Sequence, residues 1–302
     1  MNMRSHVRFS AVLVPVLVLW GCADLKDDLP PPTTSGVQVH ETGWASPSSD
    51  NFHGNTIRAN NWDMRSCQSC HGREYDGGTS DASCRDCHMN SAGPENCATC
   101  HGDANPAPPR DLSKITDRTA RGVGAHQIHL AGGTLATGLP CSECHTVPPT
   151  VYGSPSHIDG TTGAEVHFSL ALANTVTNEP GTADYDANLP LFSPAPAYSS
   201  GNLGCASSYC HGNFKNGNPG FVPIWNDPSG AQTACGTCHG DVSRSTLAER
   251  ALPKIDTEGG THPNVTTCFA CHGDVVDSNT KIINKAKHMN GKLNVFGEER
   301  DY

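Results

Sequence analysis

Six segments of the chain contain two cysteines that are separated by two residues and followed immediately by a histidine. Two thiols at this spacing can reach the two vinyl groups of one porphyrin as thioethers, and the adjoining imidazole can then bind the iron. Six occurrences in 302 residues therefore indicate covalently attached haem c. The six motifs are Cys67-Cys70-His71, Cys84-Cys87-His88, Cys97-Cys100-His101, Cys141-Cys144-His145, Cys235-Cys238-His239 and Cys268-Cys271-His272.

A seventh motif has four residues between its cysteines, Cys205 and Cys210, and it ends in His211. The second cysteine and the histidine keep the usual spacing, and the additional residues between the thiols can loop outward. We therefore expect about seven haems and seven iron atoms. The alternative for this motif is a disulfide, or two free thiols, beside an unrelated histidine.

Zinc has to be weighed because the cysteine pairs at Cys67-Cys70 and Cys84-Cys87 have the spacing of a four-cysteine zinc ribbon. A zinc ribbon has no need for a histidine after every second cysteine. Iron-sulfur clusters predict no such histidines either. The repeated histidine therefore favours haem over both metal sites.

The histidines outside the motifs are numerous enough to supply a sixth ligand to each iron. The chain has 16 histidines but only 5 methionines, so bis-histidine coordination is predicted for most haems, with low reduction potentials. The free histidines are numerous enough that no other type of residue is needed as a sixth ligand. The candidate sixth ligands are His40, His53, His126, His129, His157, His262 and His288.

The local sequence pattern sets three of the histidines outside the motifs apart. His126 and His129 would share one face of a helix, so they could serve neighbouring haems, or one of them could bind a propionate. His167 lies on the polar side of an alternating segment, Val166 to Leu172, which predicts a half-buried strand. We therefore expect His167 to be the surplus histidine.

The composition predicts a mostly irregular fold with a cofactor-filled core. Only 36% of residues are hydrophobic and 6% aromatic, while the chain has 31 glycines and 22 prolines, so turns should dominate. We expect short helices leading into the haem motifs. The stretch from Thr146 to Gly204, which has no motif, should contribute a small β-hairpin or an extended wrapping loop.

The first residues predict export from the cytoplasm. Arg4 and Arg8 precede an apolar run, Phe9 to Trp20, that is too short to span a bilayer in the mature protein. Leu19-Trp20-Gly21-Cys22 is similar to a lipobox, so Cys22 is the predicted acylated first residue and membrane anchor. The alternative is an ordinary cleaved secretory signal with Cys22 as a spare thiol.

These features predict four parts of the chain. Residues 1–21 are the expected signal peptide, and residues 22–50 are the lipid anchor and a proline-rich polar tether. Residues 51–110 are expected to hold three haems, and residues 120–302 the other four. The formal charge of −10 argues against nucleic acid as a partner, because phosphate binding depends on clustered basic residues.

Residues 121–290 resemble the CxxxxCH/CxxCH multihaem c-type cytochromes of metal-reducing deltaproteobacteria such as Geobacter. The likeness is carried by Gly124-Ala125-His126 and by the motifs that end at His145, His211 and His239. The segment from Phe52-His53-Gly54 to Cys100-His101-Gly102 is similar to the N-terminal portion of many of these proteins. The resemblance implies a lipid-anchored periplasmic or outer-membrane conduit for respiratory electrons, often directed to extracellular acceptors such as Fe(III) oxides.

The sequence thus favours an electron-transfer protein rather than an enzyme. Its expected partners are other redox proteins of the periplasm or outer membrane, including a porin-cytochrome complex. The rival interpretation is a multihaem reductase of a small molecule, which would need one haem with an open sixth position. A structural subunit of a cytochrome filament or porin-cytochrome complex is a third class and is compatible with electron transfer.

Overall fold

The computed structural model describes residues 38–108, 110–152, 157–160, 163–168 and 172–302. The chain divides into two compact units, Met1–Thr56 and Ile57–Tyr302. The expected signal peptide, Cys22 and the tether as far as residue 37 lie outside the described residues. The expected division of the haem motifs into groups of three and four stays a prediction.

Short helical segments dominate the regular structure. None of the helices in the described ranges has the length and apolarity that a membrane crossing requires. The α-helices are α1 (His53–Ala59), α2 (Gln68–His71), α3 (Cys97–Cys100), α4 (His126–Ala131), α5 (Leu247–Ala251) and α6 (Phe269–His272). Single 3₁₀ turns span Arg65–Cys67, Gly78–Ser80, Cys84–Asp86, Gly93–Glu95, Cys141–Glu143, Tyr209–His211, Ala231–Thr233 and Asp256–Glu258.

Two antiparallel hairpins supply the strands of the described chain. Strand β1 (Ala197–Ser199) pairs with β2 (Gly204–Ala206), and β3 (Leu293–Val295) pairs with β4 (Glu298–Arg300). In the first hairpin Tyr198 lies opposite Cys205, so the first cysteine of the seventh motif is held on a strand. The expected mixture of coil, short helices and a small hairpin is found.

The strand expected from Val166 to Leu172 is absent from residues 163–168 and from Leu172, and residues 169–171 lie outside the described chain. The expectation was wrong for the described part because the backbone bonds to a haem motif instead of to a strand. The amide of His167 donates to the carbonyl of Cys144 at 2.7 Å. The carbonyl of Glu165 accepts a hydrogen bond from His145 Nδ1 at 2.7 Å.

The four residues inside the seventh motif do not all extend outward. Ser208 is 5% exposed and Tyr209 is 4% exposed, so the second half of the insertion packs inward and does not loop outward. Ser207 makes the necessary turn with a positive φ of 55°. The turn lets Cys205 stay on β2 while Cys210 lies in the following 3₁₀ turn.

Apolar side chains that are shielded from solvent are scattered along the described chain and do not form one layered core. Polar groups are buried between them, among them Glu143 and Asn294. Such an interior is consistent with an irregular fold, and the cofactor-filled core stays a prediction. The buried apolar residues are Met64, Tyr75, Ala107, Val123, Ala173, Tyr209, Cys210, Leu252, Ile255 and Val275.

One surface loop is closed by a buried asparagine. Thr177 and Phe192 exchange two backbone hydrogen bonds of 3.0 Å at the base of the loop. Asn178, which is 1% exposed, accepts from the amide of Asp186 at 2.8 Å. Its Nδ2 group lies 3.0–3.1 Å from the carbonyls of Asp186, Leu189 and Pro190.

Candidate functional site

Five of the seven haem motifs turn through a helical segment, whereas the motif of Cys205 begins on a strand and that of Cys235 lies in an irregular turn. A residue and the third or fourth residue after it face the same side of such a turn. In four motifs the histidine amide donates to the carbonyl of the first cysteine at 2.9–3.0 Å, which places both thiols and the imidazole around one turn. These histidines are His88, His101, His145 and His272.

Among the described residues, five motif histidines each lie beside a histidine from elsewhere in the chain. Each pair joins one motif to one of the expected sixth ligands. The ring centroids are separated by 6.1 Å for His101 and His157, 6.3 Å for His145 and His126, 6.2 Å for His211 and His129, 6.4 Å for His239 and His288, and 6.4 Å for His272 and His262.

This narrow range of separations fits a single metal ion between the two rings. An imidazole nitrogen binds a transition metal at about 2.0 Å and the ring centroid lies roughly 1.1 Å further away, so two imidazoles on opposite sides of one iron have centroids about 6.2 Å apart. Rings in direct stacking contact would be closer. The donor set and spacing therefore fit an iron porphyrin.

Hydrogen bonds select the ring nitrogen that is available to a metal. In all five non-motif members of the pairs, Nδ1 lies 2.7–3.0 Å from a backbone carbonyl. A carbonyl can only accept, so Nδ1 carries the proton and Nε2 is left as the ligand. The accepting residues are Val123 for His126, Ala125 for His129, Val151 for His157, Pro263 for His262 and Leu135 for His288.

Four of the motif histidines follow the same rule. Nδ1 of His145 donates to Glu165, that of His239 to Ala251 and that of His272 to Asn294, at 2.6–2.8 Å. His71 lies in the same way beside the carbonyl of Ala82 at 2.8 Å. A metal on Nε2 would therefore find rings already oriented on both of its sides.

Burial favours the neutral, metal-binding form of six of the paired imidazoles by lowering their pKa. It lowers the pKa of His211 and of His239 to about 4. Neighbouring histidines add to the effect, because protonating one ring disfavours protonating the next. The pKa is lowered in the same direction, with burial as the largest cause, for His101, His126, His262 and His288.

The motif cysteines of the described chain form no disulfide, Cys205 and Cys210 included. Burial raises the pKa of Cys144 and of Cys205 to about 11 and that of Cys210 to about 12. A thioether carries no charge, so these buried surroundings suit cysteine sulfurs that form thioether bonds to a porphyrin. The described residues contain no cluster of three or more His, Cys, Asp or Glu side chains that could hold a bare metal ion.

The remaining candidate ligands are placed as follows. His40 stacks on Trp44 with ring centroids 4.4 Å apart, and Nδ1 of His53 donates to the carbonyl of Trp44 at 2.9 Å. Their assignment as iron ligands stays a prediction. His167 borders a surface cleft with Tyr198, and its expected status as the surplus histidine also stays a prediction.

Aromatic residues between the pairs were not foreseen from the sequence. The ring of Trp225 lies 4.7 Å from that of His126 and 5.7 Å from that of His129. Phe214 lies 5.4 Å from Tyr209 and 6.3 Å from His239. No motif marks these positions, because their role depends on neighbours that are distant in sequence.

The comparisons with known proteins agree with this chemistry over part of the chain. No curated protein and no solved structure matches it. A family model, the Geobacter CxxxxCH...CXXCH motif, matches residues 204–239, which contain the motifs ending at His211 and His239. The chain therefore carries the motif of this Geobacter family, consistent with a multihaem c-type cytochrome of that kind.

Proposed function

We propose that the protein is an exported electron-transfer protein that conducts electrons through about seven covalently bound, mostly bis-histidine haems. The observation that carries the proposal is the set of five histidine pairs at 6.1–6.4 Å. Two histidine ligands would leave no coordination position for a substrate at these five sites. Such sites suit electron transfer rather than reduction of a bound molecule.

The chain's own groups would hold and tune the cofactors. The paired thiols of each motif would anchor one porphyrin, and at the five paired sites two imidazoles would bind its iron through Nε2. Bound haem supplies an iron that gains or loses one electron. Carbonyl acceptors at Nδ1 raise the basicity of the rings, which favours the oxidised iron and a low potential.

The order of the sites supports conduction along the chain. His126 and His129 lie on α4 and pair with His145 and His211, so two sites share one helix of six residues. The Tyr209–Phe214 contact leads from the next motif toward His239.

We further propose that this path ends outside the cytoplasm. The apolar leader and Cys22 favour an outer-membrane lipoprotein on the periplasmic or cell-surface side, with other redox proteins or a porin-cytochrome complex as partners. The extracellular direction rests on the resemblance to metal-reducing cytochromes. Acylation would keep the haem region at the membrane without a transmembrane helix.

The intact mass of the mature protein tests both parts of the proposal. We expect seven haem increments and a lipid on Cys22. A Cys210→Ala variant should lose one increment, while Cys22→Ser should lose the lipid and keep every haem. A mass without haem would refute the proposal.

A second measurement separates electron transfer from catalysis. Electron paramagnetic resonance (EPR) of the oxidised protein should show low-spin ferric haem at the five paired sites. A high-spin haem that binds nitrite or a sulfur oxyanion would instead favour the reductase. Bis-histidine coordination would be contradicted by uniformly high reduction potentials.

A further inference from the structure

A single indole lies between the non-motif histidines of two adjacent sites. The ring of Trp225 is edge-on to that of His126, with an interplanar angle of 88°, and nearly parallel to that of His129, at 21°. His126 belongs to the pair with His145, and His129 to the pair with His211. One side chain therefore contacts two iron-ligand candidates that serve different haem motifs.

The indole is anchored to the segment that leads into α4. Its Nε1 donates to the carbonyl of Arg121 at 3.0 Å. Gly124, with φ of +45°, passes so close that a Cβ atom there would lie 2.0 Å from Nε1. The neighbouring Asn226 donates to the carbonyl of Thr119 at 2.6 Å, so the ring and the start of α4 are held together at several points.

The backbone of the same residue is attached to the other motif. The amide of Trp225 donates to the carbonyl of Leu203 at 2.7 Å, and the amide of Cys205 donates to that of Pro223 at 3.0 Å. Gly204 of β2 also forms a β-bridge with Ile224. Trp225 thus joins the helix that bears both histidines to the strand that bears the first cysteine of the seventh motif.

We propose that Trp225 is a positioning residue that sets the ring orientations of His126 and His129 and thereby couples the two sites. This inference rests on the proposed haem function. The indole blocks rotation of the stacked His129 ring, and its perpendicular contact restricts rotation of the His126 ring. Changing this one side chain alters two haem environments together.

The ring planes provide a signature of this role. The two imidazoles of a pair are 24° apart for His126 and His145, but 81° apart for His129 and His211. The angle between axial imidazole planes controls the anisotropy of the EPR signal of low-spin ferric haem. The two sites therefore give different signals, a more rhombic one and a more anisotropic one, and both depend on the indole.

The test compares Trp225→Phe and Trp225→Leu with the wild-type holoprotein. We expect an unchanged haem number by mass, with two low-spin EPR signals altered and the others superimposable. Trp225→Leu should have the larger effect, because phenylalanine keeps an aromatic face. Potentiometric titration should show the midpoints of the same two haems displaced.

Trp62→Phe is the matched control, because that indole lies against the guanidinium of Arg58 at 5.7 Å. It should leave the signals of the two sites unchanged. Superimposable spectra and titrations for wild type and both Trp225 variants would overturn the inference, as would changes spread evenly over all haems. A wild-type protein without haem would defeat the proposed function itself, which is a different result.

Discussion

At the scale of single residues, a histidine's surroundings decide whether it can complete an iron site. His157 donates from Nδ1 to the carbonyl of Val151 at 2.7 Å and lies 6.1 Å from His101. His167, ten positions later, borders an open cleft. Both are isolated histidines in the sequence. A carbonyl acceptor together with a facing imidazole is what distinguishes His157.

Replacing His288 tests this distinction. In His288→Ala the ring that lies 6.4 Å from His239 is removed, while Cys235 and Cys238 keep their haem. We expect that haem to become high-spin and to bind carbon monoxide, which should amount to one equivalent per protein. Carbon monoxide titration against total haem measures the change.

The control for this variant is His167→Ala, which should bind no carbon monoxide and keep the wild-type spectrum. Carbon monoxide binding by the His167 variant, or a low-spin spectrum in His288→Ala, would contradict the assignments of these two histidines.

At the scale of elements, short segments owe their conformation to the partners that they contact. Helix α4 has six residues, a length that is marginal for an isolated helix. Its two histidines face different motifs, and Trp225 packs against both. Contacts of this kind, rather than helix propensity, hold such elements in place.

The loop between Thr177 and Phe192 offers a test of one buried polar contact. Asn178→Ala removes the partner of the Asp186 amide and of three carbonyls. An unsatisfied buried group costs about 1–3 kcal/mol, so we expect a loss of that order in the free energy of unfolding. Chemical denaturation of the holoprotein gives the value.

Asn188→Ala serves as the comparison, because Asn188 is exposed and bonds to the side chain of Asp186. It should change the unfolding free energy by less than about 0.5 kcal/mol. Equal effects of the two substitutions would show that the buried contacts of Asn178 do not stabilise the loop.

At the scale of the whole molecule, the described residues bury too few apolar side chains to form one continuous core. Ordering the backbone costs about 1–2 kcal/mol per residue, and the buried apolar side chains of the described chain are dispersed. Porphyrins held by thioethers would add large apolar surfaces and join distant segments. The irregular fold is therefore consistent with the proposed haem content.

The chain produced without haem attachment should therefore be unfolded. We expect this chain to show no near-UV circular dichroism signal, to be rapidly proteolysed and to have no cooperative thermal transition. The holoprotein should show a near-UV signal, resist proteolysis and unfold cooperatively. A cooperative transition in the haem-free chain would show that the polypeptide packs by itself.

The net charge of −10 leads to a prediction about partners. Electron transfer to a basic redox protein should slow by roughly tenfold or more as salt is raised, because screening removes electrostatic steering. Transfer to an uncharged acceptor should change little, and stopped-flow rates provide the comparison. Equal salt dependence for both acceptors would exclude steering by this charge.

The sequence alone determined the local chemistry. Attachment of haem needs two thiols and an imidazole within one turn, so each motif, such as Cys141 to His145, can be identified without knowledge of the fold. The low apolar content and the many glycines and prolines also predicted the irregular structure. The absence of the strand expected from Val166 could not be foreseen, because the backbone groups of Glu165 and His167 bond to the motif that ends at His145.

Only the tertiary structure decided which histidine faces which motif. His129 and His211 are 82 positions apart, and His288 follows His239 by 49, yet both pairs are within 6.4 Å. Such pairing depends on how the connecting loops bring distant segments together, and no local residue spacing predicts it. The same holds for Trp225, whose contact with two ligand candidates exists only when α4 and β2 are brought together.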